Sequence, residues 1–253
     1  MGKPITAFAK LILHPVIQTI IIVLPIIHVL TFASPAYSQD MSLTELETKA
    51  LLLNKQGQYP EAVKAAEEAL KVTEEKYGSD HTKTAASVSI LGLLHFSHGK
   101  YSDAEPLYMQ ALKINEKALG KNHPDIATDL ENLALLFQAQ GRYPESISLY
   151  KRALEIKKKA FSTNHIAVAK TMNNLAALYF SQGMYQEAEP LFEQALSILE
   201  KNPGVDHDKM TTSLNILALV YQAQGKYAKA EPLLKKALTI SEKAYGQYNH
   251  SYA

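Results

Sequence analysis

The sequence predicts an all-α solenoid built from antiparallel helix hairpins, and three observations predict it. A glycine followed two residues later by a tyrosine recurs every 42 residues, from Gly57 to Gly225. Each such turn separates two runs whose apolar residues are spaced by three and four, as one face of a helix requires. A column of alanines keeps the same period without insertion or deletion, which indicates units that stack on one another.

The repeated positions are regular through five units, and residues 42 positions apart are called a column below. The turn glycines are Gly57, Gly99, Gly141, Gly183 and Gly225, the turn tyrosines are Tyr59, Tyr101, Tyr143, Tyr185 and Tyr227, and the alanines are Ala69, Ala111, Ala153, Ala195 and Ala237. Several columns with one period do not arise by chance. The sequence is therefore a tandem array.

Composition excludes several classes of function. The 26 Lys and Arg residues nearly balance the 25 Asp and Glu residues, so no surface for nucleic acid or anionic membrane is predicted. Cysteine is absent, which excludes disulfides, thiolate metal sites and a cysteine nucleophile.

The amino terminus has the layout of a secretory leader. Lys3 and Lys10 precede an apolar run over residues 11–33, and small residues follow it. We predict a signal peptide over residues 1–38, and therefore export to the periplasm or the extracellular space. The apolar run, about 20 residues long, would also suffice for an uncleaved membrane anchor.

The array is predicted over residues 39–253. Ser42 and Glu45 form a capping-box pattern that is expected to open the first helix. In the third unit, Pro124 suits the first turn of a helix and Gly141 suits its carboxyl end. Small residues such as Ala134 and Ala153 are expected to let the two helices of a hairpin approach closely.

The last hairpin is predicted to be open. After Tyr245 the chain begins another linker and ends at Ala253 without a polar closing helix. Either the natural protein continues, or this hairpin presents an apolar side to a partner, which includes another copy of the chain.

These residues resemble the tetratricopeptide repeat family, in the longer subtype found in kinesin light chains. The family's pattern of small and large residues is matched by Leu133, Ala134, Gly141, Tyr143, Tyr150 and Ala153, and the linker G-x-x-H-P stands at Gly120. The resemblance covers residues 42–245. It implies a right-handed superhelix whose first helices line a concave groove for peptide segments of other proteins.

Four histidines, His81, His123, His165 and His207, also follow the 42-residue period. Zinc ligands must all lie about 2 Å from one ion, whereas residues one repeat apart are separated by about 10 Å or more. We therefore expect each histidine to cap the following helix, and we predict no metal site. His95 and His98, near a helix end, are expected to be surface or capping residues.

The resemblance implies a peptide-binding groove on the first helices. Its predicted residues are Ser89, Leu93, Phe96, Glu131, Asn132, Leu135, Gln138, Asn173, Asn174, Ala177, Phe180, Asn215, Leu219 and Gln222. Asparagine suits this role because it offers a donor and an acceptor to a peptide backbone. Asn132 and Asn174 have an alternative role, bonding adjacent first helices, and Phe96 and Phe180 have the alternative of packing.

No set of catalytic residues is found, and no cofactor is predicted. The sequence favours a non-enzymatic scaffold that binds a protein or peptide partner. The alternatives are the recognition part of a larger exported enzyme, of the caspase-like protease type, and a self-associating structural module.

Overall fold

The computed structural model describes residues 35–202 and 207–245, and within them the chain is entirely helical between its turns. The described part contains ten helices: α1 (Pro35–Lys55), α2 (Tyr59–Tyr77), α3 (Thr82–Ser97), α4 (Tyr101–Leu119), α5 (Pro124–Ala139), α6 (Tyr143–Ala160), α7 (Ile166–Ser181), α8 (Tyr185–Lys201), α9 (His207–Ala223) and α10 (Tyr227–Tyr245). Side chains are described over residues 43–202 and 210–244.

The helices pair in sequence as five hairpins, from hairpin 1 (α1 and α2) to hairpin 5 (α9 and α10). Among the described helices, each first helix from α3 onward contacts its own second helix and also the second helix of the hairpin before it. From residue 41 onward, the described residues form one compact unit. The fold is a solenoid of sequential helix hairpins, which confirms the predicted fold class.

The turn inside each hairpin is made by its glycine. The φ angles of the five turn glycines lie between 72° and 77°, in the left-handed region that side chains with a Cβ atom disfavour. At Gly141, the backbone N–H of Arg142 donates to the Phe137 carbonyl oxygen at 2.8 Å, which closes the end of α5. The prediction that this glycine ends the helix is confirmed.

The alanine columns lie in the buried contacts between helices. Ala69, Ala111, Ala153, Ala195 and Ala237 are all buried, as are Ala50, Ala134, Ala176 and Ala218 of the first helices. In hairpin 3, Ala153 packs in one cluster with Ile126, Ala127 and Leu130. Small side chains at these positions set the distance between helices, and the core runs through the stack as a series of such clusters.

The beginning of α1 differs from the expected one. The capping-box pattern at Ser42 predicts a helix start there, but α1 begins seven residues earlier, at Pro35. Proline fits the first helical turn, and residues 36–41 contain no glycine or proline that would end the helix. The apolar segment behind the leader prediction lies outside the described residues. No helix in the described ranges has the length and apolar character needed to cross a bilayer.

An Ala153→Leu substitution is expected to reduce the free energy of unfolding by about 1–3 kcal/mol, because the added methylenes have no space between α5 and α6. Ala160→Leu is the matched control, since Ala160 is exposed at the end of the same helix. Urea unfolding followed by circular dichroism measures both changes. Equal stability of the two variants would place Ala153 outside the helix interface.

Candidate functional site

The candidate site is the surface formed by the outward residues of the first helices, α3, α5, α7 and α9. In the predicted groove set, Asn215 and Gln222 are exposed and Glu131 is buried. The remaining predicted residues are half-buried: Ser89, Leu93, Phe96, Asn132, Leu135, Gln138, Asn173, Asn174, Ala177, Phe180 and Leu219. Half-burial leaves part of each side chain open to solvent while neighbouring helices fix its position. This first-helix surface is mixed, with amide and apolar groups.

Glu131 lies inside the stack and not on the first-helix surface. Its carboxylate accepts a hydrogen bond from the Lys157 ammonium at 2.7 Å, and both side chains are 8% exposed. The Thr171 hydroxyl donates to the same carboxylate, and Lys157 also lies 3.0 Å from this hydroxyl. Because these three groups satisfy one another in the interior, Glu131 is unavailable to a ligand.

A second buried polar pair joins hairpins 2 and 3. The Asn115 side-chain amide donates to the Asp129 carboxylate at 2.7 Å, and both residues are almost fully buried. The pKa of Asp129 is raised to about 6, chiefly by burial; the Asn115 hydrogen bond lowers it, and the nearby carboxylates of Asp125 and Glu116 make smaller contributions that raise it. Keeping the Asp129 carboxylate ionised inside the stack therefore costs free energy.

Hydrogen bonds between adjacent first helices occur, but at other positions than the two asparagines considered for that role. Ser87 donates to Glu47 at 2.9 Å, Ser97 donates to Asn54 at 3.2 Å, and Thr171 bonds Glu131. By contrast, the Asn174 side-chain nitrogen is buried without a hydrogen-bond partner among the described residues. These acidic, asparagine and hydroxyl side chains therefore set the spacing of the first helices.

The side-chain oxygen of Asn173 lacks a hydrogen-bond partner among the described residues, and a comparison with the equivalent residues of the preceding hairpin explains why. Asn173 occupies the position of Glu131 one hairpin later, and Leu199 occupies the position of Lys157. The donor that satisfies Glu131 is therefore replaced by an alkyl side chain, and the Asn173 Oδ1 atom is buried without a partner within the described part of the chain. Tyr150 is a similar case, since its buried hydroxyl has no hydrogen-bond partner among the described residues. Burial, together with the Glu131 charge, raises the pKa of this phenol well above its ordinary value.

The aromatic residues of the first-helix surface pack against their own turns. Phe96 lies 5.7 Å from Tyr101 between ring centroids, and Phe180 lies 5.4 Å from Tyr185. Both phenylalanines pack against the buried core. The packing role considered for them is present in the structure, and their exposed edges still border the first-helix surface.

The periodic histidines cap helices. The Nδ1 atoms of His81, His123 and His165 accept hydrogen bonds from the backbone two residues ahead, at 3.1, 3.3 and 3.1 Å. This confirms the predicted role for these three, whereas the side chain of His207 lies outside the described side chains. In the part of the chain that is described, no three His, Cys, Asp or Glu residues are close enough to hold a metal ion.

His95 and His98 do more than cap. The His98 ring caps α3 through a contact of 3.1 Å to the Leu94 carbonyl oxygen and stacks on Tyr59 with 3.7 Å between ring centroids. His95 hydrogen-bonds the Tyr59 hydroxyl at 2.8 Å. Both histidines therefore connect hairpin 2 to hairpin 1. The sequence pattern did not predict this role, because it depends on the turn of hairpin 1 lying beside the end of α3.

The turn between two helices also contacts the hairpin before it. Gln140 and Arg142 donate to Glu105 of α4 at 3.0 and 2.8 Å, and these bonds hold the pKa of Glu105 below its usual value. Two hairpins later, Lys226 donates to Glu189 at 2.6 Å and likewise lowers the pKa of that carboxyl group. The sequences QAQGRY and QAQGKY, 84 residues apart, are thus turns whose cation binds a glutamate of the preceding second helix.

A family model described as "Tetratricopeptide repeat" matches the chain five times, over residues 40–117, 91–159, 125–201, 167–243 and 208–253. Among solved structures, a Podosopora anserina protein described as a kinesin light chain with nearly identical TPR-like repeats is similar, with 28% identity and a TM-score of 0.69, covering 80% of this chain and 95% of that one. No curated protein matches the chain at a significant level.

Two more distant structures share the fold. BtubC (BKLC) from P. vanneervenii has 23% identity and a TM-score of 0.77, covering 95% of this chain and 89% of that one. Aspartyl phosphate phosphatase F from Bacillus subtilis has 16% identity and a TM-score of 0.70, covering 83% of this chain and 53% of that one. At these identities the likeness concerns the arrangement of helices alone.

Proposed function

The chain belongs to the tetratricopeptide repeat family, typically a module for protein–protein interaction, and from this we propose that it is a non-enzymatic scaffold that binds a peptide segment of a partner along its first-helix surface. The observation that carries the proposal is the continuous set of half-buried and exposed amide and apolar side chains on α5, α7 and α9.

The chemistry of this surface suits an extended peptide. Asn215 and Gln222 expose side-chain amides, each of which can donate to a peptide carbonyl and accept from a peptide N–H. Leu219 offers apolar contact between these amides on α9, and Leu135 offers apolar contact on α5, since both leucines are only half-buried. Glu131 is left out of the proposed contact set because Lys157 and Thr171 bind its carboxylate inside the stack.

The lack of charge among the predicted contact residues indicates what kind of peptide segment fits this surface. Apart from the Ser89 hydroxyl, the predicted contact residues of the first-helix surface carry amide, aliphatic and aromatic groups, and none of them is acidic or basic once Glu131 is left out. Recognition would then depend on backbone hydrogen bonds and apolar side chains, and only weakly on ionic strength. We therefore propose an uncharged or weakly charged peptide segment as the ligand.

The proposal is tested by site-specific crosslinking. A photoreactive residue at Asn215 is expected to crosslink a partner protein from an extract of the source cells, whereas the same group at Met109, exposed on a second helix, is expected not to. Asn173→Ala combined with Asn215→Ala is expected to weaken capture of that partner at least about tenfold, because truncated polar contacts cost about 1.4 kcal/mol or more in total.

Two outcomes of these experiments would contradict the proposal. Crosslinking from Met109 in place of Asn215, or undiminished capture by the double alanine variant, would move the binding surface away from the first helices. The melting temperature of each variant is measured beside the wild type, so that loss of capture is read only where the fold is intact.

A further inference from the structure

The first-helix surface repeats its chemistry at every second hairpin. Near the carboxyl ends of the first helices, one column alternates between an aromatic ring and an amide: Phe96 on α3, Gln138 on α5, Phe180 on α7 and Gln222 on α9. The next column alternates in step, with a serine after each phenylalanine and an alanine after each glutamine. Along this part of the surface, equivalent side chains therefore recur after 84 residues and not after 42.

Ion pairs between the hairpins follow the same double period. Arg152 of α6 binds Glu116 of α4 at 2.6 Å, which joins hairpin 3 to hairpin 2. Lys236 of α10 binds Glu200 of α8 at 2.5 Å, which joins hairpin 5 to hairpin 4 in the same way. Hairpin 4 has Gln194 at the position of these two cations. A pair of hairpins, and not one hairpin, is therefore the unit that repeats in the chemistry of hairpins 2 to 5.

The two phenylalanines form equivalent aromatic subsites. The Phe96 ring lies 5.7 Å from the Tyr101 ring, and the Phe180 ring lies 5.4 Å from the Tyr185 ring. Both phenylalanines are half-buried and pack against the core, so each ring is held in place while part of it remains at the surface. A fixed ring of this kind suits an apolar ligand side chain, because contact buries apolar area and the ring has little freedom left to lose.

The turns that border this surface favour an uncharged ligand. In hairpin 2, the Lys100 ammonium lies 4.8 Å from the centre of the Tyr59 ring. In hairpins 3 and 5, Arg142 and Lys226 bind glutamates of the preceding second helices at 2.8 and 2.6 Å. Hairpin 4 has Met184 at this position. A charged ligand group would compete with existing contacts at three of these turns and would meet a thioether at the fourth, so an uncharged segment complements them better.

The distance between the two subsites indicates the spacing of the ligand's apolar side chains. Neighbouring packed helices are about 10 Å apart, so rings two hairpins apart are separated by about 20 Å. An extended peptide rises about 3.3 Å per residue, and six residues therefore span about 20 Å. Because side chains alternate between the two faces of an extended segment, an even spacing places both apolar side chains on the same face.

We propose that the first-helix surface binds an extended, weakly charged peptide segment that has two large apolar side chains six positions apart, one against Phe96 and the other against Phe180. This inference rests on the proposed function of the surface and adds the spacing of the two anchoring side chains. Gln138 lies between the two rings in the column and offers its amide to the peptide backbone. Each anchor alone binds weakly, and linking them raises the affinity because the second contact is intramolecular.

The test uses a series of synthetic peptides as the probe. Each labelled peptide has two leucines in a background of serine, threonine and glycine, at positions that differ by two, four, six, eight or ten, and a peptide with one leucine is the reference. Fluorescence anisotropy with the full chain gives the affinities. The peptide with a spacing of six is expected to bind at least about tenfold more tightly than the reference and than the peptides with spacings of two and ten.

Two variants test whether the phenylalanines are the subsites. Phe96→Gln and Phe180→Gln introduce the side chain that hairpins 3 and 5 already have in this column, so the fold is expected to accept them. Each is expected to weaken binding of the spacing-six peptide about tenfold, to the affinity of the one-leucine reference. Met109→Gln, at an exposed residue of a second helix, is the control and should leave all affinities unchanged. Melting temperatures verify that the variants are folded.

The outcomes separate this inference from the proposed function. Equal affinity across the series, a tightest spacing other than six, or an unchanged preference for six in the Phe180→Gln variant would overturn the inference. Crosslinking from Asn215 decides the proposed function independently. A partner crosslinked from Asn215 together with a flat peptide series would retain the binding surface and reject the two subsites, whereas no crosslink and no peptide binding would reject both.

Discussion

Lys157→Leu is expected to lower the free energy of unfolding by about 3–5 kcal/mol, the largest effect of any substitution considered for this chain. The substitution removes the ammonium group that binds Glu131 at 2.7 Å and leaves a carboxylate that is buried without its cation. Thr171 alone donates to that carboxylate in the variant, and one hydroxyl cannot replace a charge-assisted partner. Urea unfolding monitored by circular dichroism measures the loss.

The chain supplies the compensating change and the control. Asn173 and Leu199 occupy the Glu131 and Lys157 columns one hairpin later, so the double variant Glu131→Asn with Lys157→Leu reproduces a combination that already packs in this fold. Its stability is expected to return to within about 1–2 kcal/mol of the wild type. Lys158→Leu, which removes an exposed ion pair with Glu155, should change stability by about 0.5 kcal/mol or less.

A double variant as unstable as the single Lys157→Leu variant would show that the loss comes from packing around residue 157 and not from the stranded charge. The coupling energy between residues 131 and 157 decides between these explanations. It is obtained from the unfolding free energies of the wild type, the two single variants and the double variant.

Stability is expected to fall by roughly 3 kcal/mol as the pH rises from about 4 to about 6, through the titration of Asp129. The folded chain holds the pKa of this carboxyl group at about 6, above its ordinary value of 3.8, so the folded state binds a proton more tightly than the unfolded state. The contribution is therefore fully present below pH 4 and is lost as the pH passes through 6. Burial of Glu47 raises its pKa and adds to the same trend, whereas Glu105 and Glu189, whose pKa values are lowered, act in the opposite direction.

Asp129→Asn should remove most of this pH dependence and leave the chain more stable than the wild type at pH 7. The asparagine side-chain oxygen can still accept the hydrogen bond from Asn115, so the packing is preserved. Asp125→Asn, at an exposed neighbour on the same helix, is the control and should keep the slope. Unfolding midpoints in urea at pH 4, 5, 6 and 7 give the comparison. A slope that survives in the Asp129→Asn variant would assign the pH dependence to other groups.

The period of the sequence determined most of the fold in advance. A glycine that must adopt positive φ, a column of alanines and a histidine that caps the next helix each have a local physical reason, and each recurs at a fixed spacing. Each of these local signals is weak alone, but together, at a fixed spacing, they predict the arrangement of the helices. The beginning of α1 has no repeated signal, and it lies seven residues before the predicted position.

The interior polar contacts could not be assigned in the same way. An amphipathic pattern distinguishes the buried face of a first helix from its outer face, but the edge between those faces is not resolved by periodicity. Glu131 lies on that edge, and its partner Lys157 is on another helix of the hairpin. One signal was available: Ser87, Asp129, Thr171 and Ser213 form a polar column at otherwise apolar positions. Such a column indicates buried hydrogen bonds between hairpins.

The buried pairs have a consequence for assembly of the chain. Five units of nearly the same shape could stack in a wrong order while the chain is being synthesised, since any first helix fits any second helix in outline. Asn115 against Asp129 and Lys157 against Glu131 and Thr171 are matched only between true neighbours. A hairpin that skips its neighbour at either of these two boundaries would leave a charge or an amide stranded in the core, so these contacts disfavour shuffled, kinetically trapped stacks.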